Sequence, residues 1–282
     1  MKILVTGASG YIGKYVVNEL LAMGMDVVAS SNNQDKAVKY PWFSKVTYIQ
    51  HDISIVAESD LFQKFKQPDI VIHLAWEGLN NFLHPNHYEK TLFNHYFFLK
   101  NLIENGAKHI SVIGTCQEYG MQSGCLSEDM PSMPDTSYSL AKDTLRKFLL
   151  ELNKIHYFKF QWIRLFYMYG EGQYEKAIIP QLNKAIRNGD EVFNMSGGEQ
   201  LRDYLHVIDI AKNIALISKQ SEITGIINNC SGKPIKLINF VENYLKETKS
   251  NIKLNLGYYP YPQYEPMEFW GDNKKLELIK NL

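Results

Sequence analysis

Apolar residues follow two rhythms over the first 170 positions. Short apolar runs bounded by polar or turn residues predict buried strands at Lys2 to Thr6, Asp26 to Ser30, Val46 to Gln50, Ile70 to Leu74, His109 to Gly114 and Phe160 to Leu165. Between them lie longer stretches of helical period. Tyr11 to Met23 sets Ile12, Tyr15, Val16, Leu20 and Met23 near one face, and Gly24 closes it. Glu58 to Phe65 predicts a helix that ends before Pro68, because a residue preceding proline is driven out of the helical region. Asn86 to Asn105, closed by Gly106, and Ser137 to Asn153 complete the series. Strands alternating with helices of this length imply βαβ units. The expected fold is an α/β, doubly wound parallel sheet with helices on both faces.

Beyond Tyr169 the rhythm changes. Helical patterns occur at Ile178 to Asn188, Val207 to Ser218 and Lys236 to Thr248. Short strands are expected at Glu191 to Asn194, Gly225 to Asn229 and Asn251 to Leu256. Tyr258 to Pro266, rich in Tyr and Pro, predicts an ordered loop. Residues 1–170 therefore form the principal domain and 171–282 a smaller lobe packed on it, with exchange of chain between them. There is no internal repeat and no flexible linker.

Composition narrows the function. A chain of 282 residues that is 45% hydrophobic and 21% charged has enough apolar material for a core without disulfides or metals. Thirty basic side chains balance thirty acidic ones, so bulk charge favours neither a nucleic acid nor an anionic membrane. An anionic ligand must be held by a few placed groups. Cys116, Cys125 and Cys230 fit no zinc spacing and are expected as free thiols in a reducing cytoplasm. No apolar run reaches the roughly 18 residues of a membrane helix. Ile3-Leu4-Val5 is too short for the core of a leader peptide, so a cytoplasmic protein is expected.

The strongest local signal is Thr6-Gly7-Ala8-Ser9-Gly10-Tyr11-Ile12-Gly13, which leaves a strand and opens a helix. Gly7 permits the tight turn, Gly10 lets a pyrophosphate approach the backbone, and Gly13 lets helix and strand pack closely. The helix N-terminus supplies free N–H groups and partial positive charge, so the pattern predicts dinucleotide binding by residues 1–170. No Gly-Lys-Ser/Thr follows, which excludes a nucleoside-triphosphatase loop. The second strand ends in Ala29-Ser30-Ser31-Asn32-Asn33, with Lys36 nearby. No carboxylate stands there to bind a ribose 2′-hydroxyl or repel a 2′-phosphate, which favours NADP(H) over NAD(H). The competing reading is a solvated polar turn. Asp52, after the third strand, is placed to accept from an adenine amine.

Tyr138 and Lys142 stand four apart on a predicted helix and share its face. A neighbouring ammonium favours the phenolate of a tyrosine that otherwise titrates near 10. Thr115, just past the fifth strand, can converge on the same point. His84, His87 and His95 raise the question of a metal, but His84-Pro85-Asn86-His87 straddles a helix start and the rings need not share a face. Exposed or substrate-loop histidines are the expectation there, with no metal. The run Phe93, Tyr96, Phe97, Leu99, Leu102 and Ile103 is expected to face the core or a second copy of the chain.

Together these residues resemble the extended short-chain dehydrogenase/reductase family, in its nucleotide-sugar branch. The resemblance runs through the glycine turn, His73-Leu74-Ala75, Asn94, Gly114-Thr115-Cys116-Gln117-Glu118-Tyr119-Gly120, and the Tyr138/Lys142 pair. It continues through Arg164-Leu165-Phe166-Tyr167-Met168-Tyr169-Gly170 and Gln200-Leu201-Arg202-Asp203-Tyr204-Leu205-His206-Val207. It implies a catalytic triad of Thr115, Tyr138 and Lys142. Tyr138 exchanges a proton with a sugar oxygen, Thr115 binds that oxygen, and Lys142 holds the nicotinamide ribose and tunes Tyr138. The cofactor would be held by Gly7, Ser9, Gly10, Tyr11, Ile12, Ser31, Asn32, Asp52, Ile53, Leu74, Ala75, Tyr138, Lys142 and Leu165. The substrate would meet Trp76, Glu77, Thr115, Gln117 and Tyr167, with Arg202 on the diphosphate. For Arg202 the competing reading is an ion pair with Asp203 or another carboxylate.

Departures from the family pattern narrow the reaction. Family 4,6-dehydratases carry Asp-Glu directly after the catalytic Thr, whereas here Cys116 and Gln117 follow Thr115, which disfavours dehydration. Gln117 suits hydrogen bonding to a substrate oxygen. The Thr-Cys-Gln-Glu-Tyr-Gly form is similar to that of reductases of nucleotide-linked 4-keto-6-deoxy sugars. Tyr167 stands where many members carry Asn, and Trp76-Glu77 where small residues are usual. Trp76 would stack on a sugar face or close the core edge. The Arg that many relatives place before the final helix is missing, and Tyr258, Tyr259, Tyr261 and Glu268 occupy that region. The resemblance also implies a homodimer paired through a four-helix bundle. The expected function is NADPH-dependent reduction of a C4 keto group on a nucleotide-linked 4-keto-6-deoxyhexose. The alternatives are a 4-epimerase with tightly held NAD and a non-catalytic NADP(H)-binding regulator.

Overall fold

The computed structural model describes residues 1–55, 60–261, 263 and 265–282. The first half runs β1 (Lys2–Thr6), α1 (Gly13–Ala22), β2 (Asp26–Ser31), α2 (Gln34–Ala37), β3 (Thr47–Gln50), α3 (Leu61–Lys64) and β4 (Ile70–His73). It continues through α4 (Leu92–Glu104), β5 (His109–Thr115), β6 (Gly124–Leu126), α5 (Ser137–Ile155) and β7 (Lys159–Leu165). The second half runs β8 (Tyr167–Tyr169), α6 (Ile178–Asn188), β9 (Val192–Asn194), β10 (Leu201–Arg202), β11 (Tyr204–His206) and α7 (Val207–Lys219). It closes with β12 (Gly225–Asn229), β13 (Ile235–Lys236), α8 (Leu237–Thr248), β14 (Lys253–Asn255), β15 (Phe269–Gly271) and α9 (Lys274–Lys280).

Seven strands form one parallel sheet in the order β12-β7-β5-β4-β1-β2-β3. The strand order reverses between β1 and β4, and a ligand crevice opens at the carboxyl ends there. Alternate residues of each strand feed opposite faces. Ile3 and Val5 of β1 pack with Val16, Val17 and Leu20 of α1 and Ile210 and Ile214 of α7. Leu4 faces the other way, into a core with Leu99 and Leu102 of α4 and Leu145 and Leu149 of α5. A third apolar cluster, from α6, β9, α8 and β14, forms the smaller lobe.

The six expected strands of the first half are present, each within a residue or two of its expected ends. The second half is interwoven more deeply than a boundary at 170 implies. β12 is the outer strand of the main sheet beside β7, and α7 and α9 pack on that sheet with Leu276 and Ile279 in its core. The long helix expected from Asn86 opens with a π-helical turn, His87–Thr91, before α4. For the helix expected at Glu58 to Phe65, residues 58 and 59 lie outside the described residues, and Asp60 caps α3 by accepting from the Gln63 amide at 3.0 Å. α2, α9 and the short strands β6, β8, β10, β11, β13 and β15 were not expected. Among the described residues no helix is long and apolar enough to cross a membrane.

Candidate active site

β1 delivers the glycine turn into the crevice. Gly7 lies at φ +69°, and a Cβ there would come within 2.8 Å of the Ala75 nitrogen. A Cβ on Gly13 would meet the Gly7 carbonyl oxygen at 2.1 Å, so α1 can approach β1 only as glycine. No side chain caps the N-terminus of α1, and its first turn holds no acid. Those backbone donors therefore suit a phosphate.

A cavity of about 340 Å³ extends from this turn, lined by Gly7, Ser9, Gly10, Ser31, Asn32, Lys36, Asp52, Ile53 and Ala75. It also receives Trp76 and Glu77. Glu77, expected near the substrate, thus lines the cavity that holds Ser31, Asn32 and Asp52 and is not in the described lining of the one that holds Tyr138. Burial and the nearby Asp52 push its carboxyl upward. Asp52 is held low because it accepts from the Ser54 amide at 2.9 Å. The Ser31 hydroxyl bonds the Tyr48 hydroxyl at 2.9 Å, and Asn33 caps α2 by accepting from the Lys36 amide at 2.8 Å.

A second cavity, about 670 Å³, receives Tyr11, Ile12, Leu74, Trp76, Thr115, Gln117, Tyr138, Lys142, Leu165 and Tyr167. The predicted triad is thus brought together. Thr115 ends β5. Tyr138 and Lys142 occupy the buried face of the first turns of α5, whose N-terminus is fixed by a capping box between Thr136 and Ser139. Burial pushes the Tyr138 phenol upward, and the adjacent Thr115 side chain pulls it the other way. Lys142 is 2% exposed and donates to the Ile113 carbonyl at 2.9 Å. Its ammonium lies 4.0 Å from the centre of the Trp76 ring and 6.0 Å from that of Tyr138. Burial lowers it to about 7.

Trp76 stacks on His95 at 4.6 Å and donates to His87 at 3.2 Å. With Lys142 against its ring as well, Trp76 closes the core edge between the two cavities. His87 and His95, expected to be exposed or in contact with substrate, are 2% and 0% exposed. His95 bonds His73 at 2.7 Å, and His73 bonds the Thr6 hydroxyl at 2.9 Å. Burial holds both His73 and His95 well below the usual histidine range, hence neutral. Of the three, only His84 is exposed.

Several residues of the site were not singled out in the sequence. Glu118 is fully buried and accepts from the Thr115 amide at 2.8 Å, from Trp162 Nε1 at 2.9 Å and from Arg164 Nε at 2.8 Å. It fixes the strand end that carries Thr115. Phe82 accepts from the Tyr138 amide at 2.9 Å, and its ring stacks on that of Tyr138 at 5.1 Å. Gln173 lines the large cavity. Its Oε1, the Gln117 Oε1 and the Tyr11 hydroxyl are buried with no hydrogen-bond partner among the described residues. The described lining of this cavity includes no Asp or Glu.

A third cavity of about 210 Å³ opens toward the smaller lobe and shares Tyr167, Met168, Gln173 and Ala177 with the second. Arg202 lies here, paired with Glu265 at 3.1 Å. Its neighbour Asp203 instead accepts from the amides of Ser231 and Gly232 at 2.7 and 2.9 Å. The sequence placed no role on Glu265, which is remote from Arg202 along the chain and sits in a segment without periodicity.

The model of the NAD dependent epimerase/dehydratase family matches residues 3–230. A dTDP-6-deoxy-L-talose 4-dehydrogenase (NAD(+)) of Aggregatibacter actinomycetemcomitans is 32% identical over 274 residues, covering 96% of this chain and 99% of the relative. A dTDP-4-dehydro-6-deoxyglucose reductase of Escherichia coli is 28% identical, covering 91% and 84%. Among solved structures, a UDP-N-acetylglucosamine 4-epimerase from Methanobrevibacter ruminantium M1 superposes with a TM-score of 0.86 at 24% identity, covering 99% and 91%, which shows a shared fold.

Proposed function

We propose, for a chain that belongs to the NAD dependent epimerase/dehydratase family, an oxidoreductase acting at C4 of a nucleotide-linked 6-deoxyhexose. In the biosynthetic direction it reduces the 4-keto group. The observation that carries this reading is the makeup of the large cavity. It is lined by Thr115, Tyr138 and Lys142, by the neutral amides Gln117 and Gln173, and by no carboxylate among its described residues. Dehydration needs an acid–base carboxylate beside Thr115. The nearest one in sequence, Glu118, is spent on Thr115, Trp162 and Arg164. Keto reduction, with the hydride coming from a dinucleotide, needs from the protein only a proton donor at the oxygen. The names of the two relatives, both acting on dTDP-linked 6-deoxy sugars, support dTDP as the nucleotide.

A bound nicotinamide dinucleotide would supply or accept the hydride. The glycine turn, the uncapped α1 terminus and the groove lined by Ser31, Asn32 and Asp52 fit its adenosine and pyrophosphate. Tyr138 gives its proton to the sugar oxygen as negative charge develops there. Thr115 hydrogen-bonds the same oxygen and holds it in line. Lys142, once it leaves the Ile113 carbonyl, places a positive charge where it favours the phenolate that Tyr138 becomes. Lys36 lines the cavity beside Ser31 and Asn32, and the end of β2 carries no carboxylate, which supports NADP(H) over NAD(H). The name of the dehydrogenase relative points to NAD.

The decisive assay mixes the protein with NADPH or NADH and a panel of dTDP-, CDP-, GDP- and UDP-linked 4-keto-6-deoxyhexoses, and follows loss of the reduced nicotinamide. Consumption with the dTDP sugar, at higher kcat/KM for NADPH, is expected. No consumption, with isomers accumulating from ordinary nucleotide sugars, would replace the reductase by an epimerase. Silence in both assays would leave a dinucleotide-binding regulator. Tyr138→Phe is expected to lower kcat by about 10²-fold or more with little change in KM, because proton donation is realised in the transition state. Near-normal kcat would remove Tyr138 as the acid.

A further inference from the structure

We propose that Glu265 is an internal competitor for the substrate's diphosphate: its carboxylate occupies the anion seat at Arg202, and the substrate binds by displacing it. This rests on Arg202 being the partner of the diphosphate.

Arg202 is 3% exposed. Its Nη1 donates to the carbonyls of Leu201 at 2.8 Å and Met267 at 3.1 Å, and its guanidinium lies 4.5 Å from the centre of the Phe269 ring. These contacts fix its position and leave its charge uncompensated. A buried guanidinium without an anion is costly. Glu265 supplies that anion through Oε2 at 3.1 Å, while its Oε1 accepts from the Tyr167 hydroxyl at 2.5 Å. One carboxylate thus saturates two donors that project toward the cleft.

Those donors stand where a diphosphate has to pass. Tyr167 lines both the cavity that holds Tyr138 and the cavity toward the smaller lobe, and Arg202 and Glu265 line the latter. A sugar near Tyr138 joined to a nucleoside in the outer cavity carries its phosphates across this shared rim. A phosphate offers Tyr167 and Arg202 the same acceptor chemistry with at least as much charge, so exchange leaves neither donor unpaired. Both anions cannot occupy the seat, because like charges at such distances repel strongly away from bulk water. The Glu265 side chain retains 19% exposure, so it has an open direction in which to leave.

The test is calorimetric titration of the full chain with dTDP and with thymidine, for the parent, Glu265→Gln and Arg202→Lys. Glu265→Gln is expected to bind dTDP at least about tenfold more tightly while its affinity for thymidine is unchanged. Arg202→Lys is expected to weaken dTDP and spare thymidine. If Arg202→Lys weakens dTDP but Glu265→Gln leaves it unchanged or weaker, the competitor is overturned and the reading of Arg202 survives. If Arg202→Lys leaves dTDP unaffected, that reading falls and the competitor with it. Should Glu265→Gln not fold, Glu265→Asp draws the carboxylate back by one methylene and is expected to tighten dTDP in the same sense; no tightening would overturn the proposal.

Discussion

Lys142 holds its charge at a cost before any ligand arrives. Its pKa falls from 10.5 to about 7 through burial, so between those values the folded chain binds fewer protons than the unfolded one. Stability from this group therefore rises with pH through that window, and the penalty is complete below about pH 7. Lys142→Met is expected to be inactive yet more stable than the parent at pH 7 without cofactor. Between pH 7 and 9 the gap should narrow by about 2 kcal/mol as the parent sheds the penalty. Thermal or denaturant unfolding of both proteins across that range checks it, and a constant gap would mean that Lys142 is not titrating. At this scale the sequence was informative where chemistry is local. Tyr138 and Lys142 four apart, Thr115 at a strand end and the glycines of the first turn needed no coordinates. Glu265 did, because only the folded chain brings it to Arg202. Trp76 also resolved only in three dimensions, since its fate depends on His95 and Lys142, which lie far along the chain.

The end of β5 shows how an element is made to hold a reacting group in place. Glu118 accepts from the Thr115 amide while pairing with Arg164 on the adjacent β7, where both side chains are 0% exposed. Glu118→Gln would leave the Arg164 charge without its partner, at a cost of about 3–5 kcal/mol. It is also expected to lower kcat more than it raises KM, because Thr115 loses its fixed amide. Unfolding and steady-state kinetics measured together check this; a fall in stability with unchanged kcat would confine Glu118 to the core. The helices and strands of the first half were legible because each is long enough to show its period. β6 and β15, three residues each, pair across more than half the chain and have no period to show. α2 is a single capped turn, and α9 is defined by where Leu276 and Ile279 dock.

On the scale of the whole molecule, α4 and α5 pack against each other through Tyr96 and Phe148, with ring centres 5.2 Å apart. The same two helices leave Phe93, Phe97, Leu140 and Leu150 exposed, Phe97 at 56%. Exposed aromatic and aliphatic side chains on neighbouring helices suit a second copy of this chain, and pairing through them would build a four-helix bundle. If two copies pair through this face, Phe97→Glu converts dimers to monomers in sedimentation velocity, with the fold of each copy intact. A parent protein that sediments as a monomer at micromolar concentration would remove the dimer.

The place of β12 has a consequence for the order in which this chain can be made. Synthesis runs from the amino end, and by residue 170 six of the seven strands of the main sheet exist, with β7 as a bare outer edge. That edge offers unpaired backbone donors and acceptors to any passing strand, and α1 has not yet met α7. Both needs are met only when residues 207–229 emerge, after the first pieces of the smaller lobe have been threaded out between them. The nascent chain therefore carries a sticky intermediate through roughly 60 residues of translation. Completion of the first half waits on the second.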